Sequence, residues 1–265
     1  MNHKPRLFLL TVILPQQILG IIALWYLWYS QEYQWLLATF ISWFFCYAVG
    51  EGVFLHRYHT HRAFECRYPL LPKIFSILTI LGGHANPIAF KAIHIAHHSL
   101  ADSDQDPHSP NRSFFHGWIW WYWSFKFNES DWRRFSLISK HLTNDKFYIF
   151  LFKHGFAIWW ASLLMLTLID FRLALFTMGL AGAIGVNLTN MSNSFGHCEK
   201  LGRRRFDTND NSTNLILLSW IFWNGAGTLH NNHHKFPTRH HDSHAWYEFD
   251  ISKWVVPLVA VKNKK

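Results

Sequence analysis

Charge is what this sequence has least of: Asp, Glu, Lys and Arg make up 15% of its 265 residues, against 50% hydrophobic and 18% aromatic. Soluble domains carry about 25% charged residues, so the balance points to a membrane. Cysteine is as sparse. Cys46, Cys66 and Cys198 lie far apart with no CxxC pair, which excludes a disulfide framework and a zinc or iron-sulfur site; they read as reduced and structural. No GxGxxG loop marks a nucleotide site. The absence of any Pro-rich or Gly/Ser-rich linker, or of a repeat of fixed period, makes residues 1–265 a single domain. Acidic residues are outnumbered, 16 against 25 basic, for a net charge of +9. The excess lies outside the apolar stretches, at Arg203, Arg204, Arg205 and the Lys-rich end. That suits an anionic lipid surface or an acidic protein partner, and no nucleic acid.

Long apolar runs are abundant. A helix needs about 20 apolar residues to span the hydrocarbon core, and Leu7 to Tyr29, Trp35 to Leu55, Phe147 to Ile169 and Leu173 to Ser192 meet that requirement. The first is too long for a signal-peptide core and lacks a small-residue cleavage site, so it stays as a helix. In the third, Lys153 and His154 lie near the start, where a Lys stem reaches the headgroups. Ser30 to Gln34 and Asp170 to Arg172 are very short connections, so the spans form two hairpins. The turns hold only Arg172 as a basic residue, whereas Lys4, Arg6, the middle section and the C-terminal third are Lys/Arg-rich. Both termini and the polar bulk are therefore expected in the cytoplasm. Leu70 to Phe90, broken by Pro72, Lys73, Gly82, Gly83 and Pro87, suits an interfacial helix. Trp118 to Trp123 (WIWWYW) reads as a membrane-interface aromatic belt.

Nineteen histidines stand out by spacing rather than by count. His94, His97 and His98 (HIAHH) and His230, His233 and His234 (HNNHH) both follow HxxHH, which on a helix aims three imidazoles from one face into one volume. His56 and His61 (HRYHTH) sit at the polar end of the second span. Eight or more imidazoles exceed one ion's needs, so two ions share them; imidazole suits Zn, Cu, Fe and Ni alike. Asp102, Asp104 and Asp106, just after the second box, can accept the outer N–H of ligating imidazoles or form a solvated acidic turn. His59 reads as a surface residue or one behind the ligands. His240, His241 and His244 read as a solvated face, and His3, His141 and His154 as structural.

In order along the chain, HRYHTHR (56–62), HIAHHSLADSDQDPHSP (94–110), NSFGH (193–197) and NGAGTLHNNHHKFP (224–237) resemble the membrane fatty acid desaturase family, its bacterial acyl-CoA and acyl-lipid members included. The resemblance implies an all-α integral membrane protein: four transmembrane helices in two hairpins, interfacial helices, and a cytoplasmic helical cap carrying a di-iron site. It implies two non-haem Fe ions held by His56, His61, His94, His97, His98, His197, His230, His233 and His234, with Asn193 reaching one through a water. Asp104, Asp106 and His108 match its DxDPH element and stand behind the ligands. By analogy with acyl-CoA members, Phe40 and Phe44 on the second span would line the deep end of a substrate tunnel.

The implied reaction is insertion of a double bond into a fatty acyl chain, carried by CoA or by phospholipid, with O2 as co-substrate. An alkane C–H is not acidic enough for a general base, so oxidation is required. Each turnover takes two electrons, and nothing in the chain supplies them, so a ferredoxin or cytochrome b5-like donor is implied. The third box reads GAGTLHNNHH where acyl-CoA members read GEGxHNxHH, which looks more like bacterial members and an inner-membrane location. A lipid or alkane hydroxylase of the same di-iron type is the alternative. A His-rich metal transporter is the remote one, because it would need polar ligands at mid-membrane depth on the spans.

Overall fold

The computed structural model describes residues 5–126 and 129–261; His3, Lys4 and the Lys-rich end at 262–265 lie outside them. Four helices are long and apolar enough to cross a membrane: α1 Pro5–Ser30, α2 Trp35–Thr60, α7 Lys146–Ile169 and α8 Phe171–Phe195. Shorter helices lie between and after them: α3 Leu71–Leu81, α4 Pro87–Leu100, α5 over 116–124, α6 Glu129–Ile138, α9 Ile216–Phe222, α10 His230–Lys235 and α11 Ser252–Val259. The described residues form no strand, only isolated bridges. The observed spans match the expected ones within a few residues. Their outer faces are apolar and bare, as at Ile21, Trp28, Leu164 and Leu168, an expanse that water would not tolerate and lipid does. The chain is a membrane protein.

Both hairpin turns lie together at one end. Gln31 closes the first with a left-handed backbone, φ 58°. Asp170 accepts from the backbone N–H of Arg172 at 2.9 Å and opens α8. Arg172 then pairs with Glu32 across the two turns at 3.2 Å, so the one basic residue there is neutralised on the spot. Polar contacts and small residues hold α1, α2 and α8 together. Gln16 donates to the carbonyls of Gly82 and Met178 at 3.0 and 3.1 Å, and Ser42 to that of Thr177 at 2.7 Å. Gly179 lies so close to Leu19 that an added Cβ would fall 2.8 Å from the leucine side chain, the close backbone approach typical of helices packed in lipid. Helix α3, 11 residues long, cannot span; it lays Pro72, Ser76, Thr79 and Ile80 against the bundle and leaves Leu70, Ile74 and Ile77 exposed at its flank.

The aromatic-belt reading of WIWWYW holds for only half of the motif. Trp120 and Trp123 are exposed, whereas Trp121 and Tyr122 are buried. A short helix turns successive residues by about 100°, so a continuous aromatic run supplies both a lipid face and a core face.

Candidate metal centre

The wide turns of α2 set the first two histidines. From Phe44 to Thr60 the helix is π-wound, and the His61 N–H donates to the His56 carbonyl, five residues back, at 3.1 Å. Residues five apart then share a face, which lines up Glu51, His56 and His61. Helix α4 begins with Asn86 accepting from the Ala89 N–H at 3.1 Å and with Pro87 in its first turn, a strong start signal. It carries His94, His97 and His98 inward. His197 follows α8, and α10 carries His230, His233 and His234.

These nine imidazoles form two groups. His56, His61, His94, His98 and His233 bring one nitrogen each to within 4.8 Å of one another, and so do His97, His197, His230 and His234. Each HxxHH box is therefore divided rather than aimed into one volume. At about 100° per residue, i+4 lies about 40° to one side of i and i+3 about 60° to the other. His94 and His98 join the first group and His97 the second, while His230 and His234 join the second and His233 the first.

Within each group the Nε2 atoms face each other. His56 and His94 are 2.9 Å apart, His98 and His233 3.0 Å, and His197 and His230 3.0 Å. Imidazole nitrogens about 2.1 Å from a shared ion stand roughly 3 Å apart, so the donor set fits two metal ions. Burial, then the neighbouring imidazoles, pushes the pKa values of His94, His98, His230 and His234 well below the ordinary value. Burial does the same at His61. Neutral imidazole is the ligating form.

The outward nitrogens differ between the groups. In the four-histidine group every Nδ1 has an acceptor: Asp106 for His97 at 3.0 Å, Asp102 for His197 at 3.0 Å, Asp210 for His234 at 2.7 Å, and the Ala226 carbonyl for His230 at 2.6 Å. Such acceptors hold the proton on Nδ1 and leave Nε2 free for a metal. Burial opposes the charge of Asp106, but His97 outweighs it and holds the carboxyl well below its usual range. In the five-histidine group Asp242 stands 3.6 Å from His233 Nδ1, and His56 Nδ1 has no hydrogen-bond partner among the described residues. Asp102→Asn is therefore expected to weaken the four-histidine ion by about 10- to 100-fold and spare the other, read as a fall from two ions per chain towards one in a chelator titration.

Several sequence expectations change here. Asp104 does not stand behind any of the nine histidines: its side chain is exposed, and its carbonyl accepts from Arg112. Asp102 takes that place because its backbone turns left-handed, φ 63°, swinging the carboxylate towards His197. His108 is buried, its ring 4.4 Å from that of His97. His59 is no surface residue: it is buried on the far face of α2, 3.0 Å from Ser76 Oγ. His240, His241 and His244 are half-buried rather than solvated, since their segment folds back to seat Asp242. Arg204 binds the Thr208 and Ser212 carbonyls and Arg205 pairs with Glu248 at 2.7 Å, so both brace the loop that carries Asp210.

A cavity adjoins the histidines. Phe90, Trp121 and Val186 give it apolar walls, and Glu51, Asn193 and Asn224 polar ones. Asn224 donates to Glu51 at 2.7 Å. Asn193 opens onto the cavity beside His230. Phe40 and Phe44 do not line it; both pack edge-on against Trp223, at 5.9 and 6.0 Å, because the cavity meets α2 further along, at Glu51 and His56.

In the metal-free protein, acid should destabilise the fold. Five histidines resist protonation in the folded state, while their unfolded counterparts take up protons below about pH 6.5. Asp106 and Asp242, both depressed, contribute stability above their ordinary range and lose it as pH falls further. Burial lowers His97, but Asp106 and the carboxylates near it outweigh burial and shift it up, so His97 opposes the trend. Thermal melts of chelator-treated protein should fall between pH 7 and pH 5.

The sequence profile of the fatty acid desaturase family matches residues 33–249. Delta-9 desaturase-like 2 protein of Arabidopsis thaliana is 32% identical over 212 residues, covering 76% of this chain and 66% of that protein. Delta-9 acyl-lipid desaturase 2 of the same plant is 31% identical over 209 residues, 78% of this chain and 66% of its own length. The sn-1 stearoyl-lipid 9-desaturase of Anabaena variabilis is 31% identical over 219 residues, 80% of this chain and 76% of that protein. The chain thus spans just under two thirds of the length of the two plant relatives.

Proposed function

Because the chain belongs to the fatty acid desaturase family, we propose that it is an O2-dependent fatty acyl desaturase that inserts a double bond with a di-iron centre and an external electron donor. The observation that carries this reading is the sorting of nine buried or half-buried histidines into groups of five and four with Nε2 inward. Two reduced irons, when bound, supply the oxidation by O2 that an unactivated C–H pair requires. His56, His61, His94, His98 and His233 hold one ion, and His97, His197, His230 and His234 the other, with Asn193 placed to orient a water beside the second. Asp102, Asp106 and Asp210 keep three of those imidazoles in the ligating tautomer. Phe90, Trp121 and Val186 hold the acyl chain beside the metal and exclude water.

The proposal extends to topology: both termini and the metal centre face the cytoplasm, and the membrane is a bacterial inner membrane. The shared end of the two hairpin turns, opposite the histidines, supports a single-sided site. A ferredoxin or cytochrome b5-like protein delivers the electrons, and Arg203, exposed beside the Asp210 loop, offers it a positive contact.

The test is expression in a host that lacks the activity, with total fatty acids resolved by gas chromatography-mass spectrometry. A new unsaturated acid, two mass units lighter than its precursor, is the expected product. An added oxygen would instead make the protein a hydroxylase, and an unchanged profile with iron-loaded protein and a supplied donor would defeat both.

A further inference from the structure

Converting CH2–CH2 to CH=CH with O2 takes two electrons and two protons from outside the substrate and releases two waters. The donor protein brings the electrons. The protons have to pass apolar walls to reach the cavity beside the histidines, and a bare charge does not cross an apolar layer unless polar groups or water carry it. Most ionisable groups bordering that cavity are otherwise engaged. His56, His94 and His230 belong to the nine, and His108 packs on His97. The Tyr122 hydroxyl donates to Asn190 at 3.3 Å. Burial pushes the His84 imidazole, in the turn between α3 and α4, down to about 4, so it carries no proton near neutral pH.

Glu51 is the one carboxylate among the described residues of the lining. It is buried on α2 and accepts from Asn224 at 2.7 Å, and no Lys, Arg or His stands within ion-pair distance of it among the described residues. Arg57, on the same helix, is bound instead by Asp242 and Asp250. An acidic residue inside a spanning helix is costly to keep, and such residues line ion and proton paths. Asn224 is fixed in place: Thr228 donates to its carbonyl at 2.9 Å, and an added Cβ on Gly52 would fall 3.4 Å from its Cγ. Water has polar groups to meet beside it. On α8, Val186, Thr189, Asn190 and Asn193 recur at i, i+3, i+4 and i+7, one face of the helix, and all four border the cavity. Asn190 Nδ2 and His84 Nε2 are buried there without a hydrogen-bond partner among the described residues, the condition of groups that water satisfies.

We propose that Glu51 is the proton relay of the reaction: its carboxyl, held by Asn224, passes protons one at a time from cavity water to the oxygen being reduced, and is reloaded through water on the polar face of α8. This deepens, and rests on, the desaturase reading. Phe90 and Trp121 shield the acyl chain while Glu51 and Asn224 serve the protons. Glu51→Gln keeps the shape and the acceptor for Asn224 but cannot carry a proton. Glu51→Asp keeps the carboxyl one methylene short.

The full chain is reconstituted in phosphatidylglycerol vesicles with a reduced donor. Glu51→Gln should lower product formation about 100-fold with two irons still bound, and should raise the isotope effect of D2O because proton delivery becomes the slow step. Glu51→Asp should recover part of the rate. A second readout needs neither iron nor turnover. In metal-free protein, the infrared carboxyl signal that Glu51→Gln abolishes should respond to D2O within seconds, as a group open to cavity water does, and Asn224→Ala should shift its frequency. A Glu51 signal that ignores D2O for hours overturns the proposal, as does a Glu51→Gln protein with the wild-type rate and isotope effect. A fall in rate that comes with lost iron makes Glu51 structural and overturns it too. If the wild type forms no unsaturated product, the desaturase reading fails, while the D2O response and the rate at which reduced protein consumes O2 still decide the relay.

Discussion

His97→Ala and His233→Ala should each reduce turnover by at least about 1,000-fold, because no side chain can replace the chemistry of a lost ion. The two differ in what remains. His97 belongs to the four-histidine group and His233 to the five-histidine group, so each variant is expected to keep about one iron per chain, bound in opposite halves. His59→Ala is the contrast. That imidazole is equally buried and two residues from His61, but it faces Ser76 on the other side of α2, so iron content should stay at two. Metal analysis of the three purified variants separates ligation from burial.

Arg57→Leu should unfold the metal-bearing end. The Arg57 guanidinium is fully buried, 2.6 Å from Asp242 and 2.7 Å from Asp250. It also donates to Ser252 at 2.8 Å and to the Arg239 carbonyl at 3.0 Å. Removing one partner from such a cluster costs about 3–5 kcal/mol, since the remaining charges stay buried and uncompensated. Here two carboxylates would be stranded. Arg57 ties α2 to the segment after α10, and Asp242 stands behind His233, so the loss should also loosen the five-histidine ion. Adding Asp242→Asn and Asp250→Asn should restore part of the thermal stability but not the iron. Full recovery of both would mean that the cluster does not position His233.

The spans, the hairpins and eight of the nine histidines were legible because each is written locally: about 20 apolar residues, a short connection, a histidine box. His197, with no box of its own, was placed by resemblance. What the sequence hid is long-range. Asp210 and Asp242 lie in a basic loop and a His-rich tail, and nothing in their spacing marks them as partners of His234 and of Arg57, the latter 185 residues away. Asp104 and Asp102 flank the same turn, and only a left-handed backbone at Asp102 decides which carboxylate reaches His197. Phe40 and Phe44 were assigned to the cavity by analogy, yet Trp223 claims both faces. The alignment of Glu51 with His56 needs a π-wound helix, which ordinary helical periodicity does not reveal.

The claim on which the rest depends is that nine histidines hold two irons. Metal analysis with Mössbauer spectroscopy on protein purified from cells grown in 57Fe tests it directly. The account predicts two non-haem irons per chain, both lost on chelation and one lost in Asp102→Asn under competing chelator. Stoichiometric zinc, or a single iron unaffected by changes in either group, would contradict it.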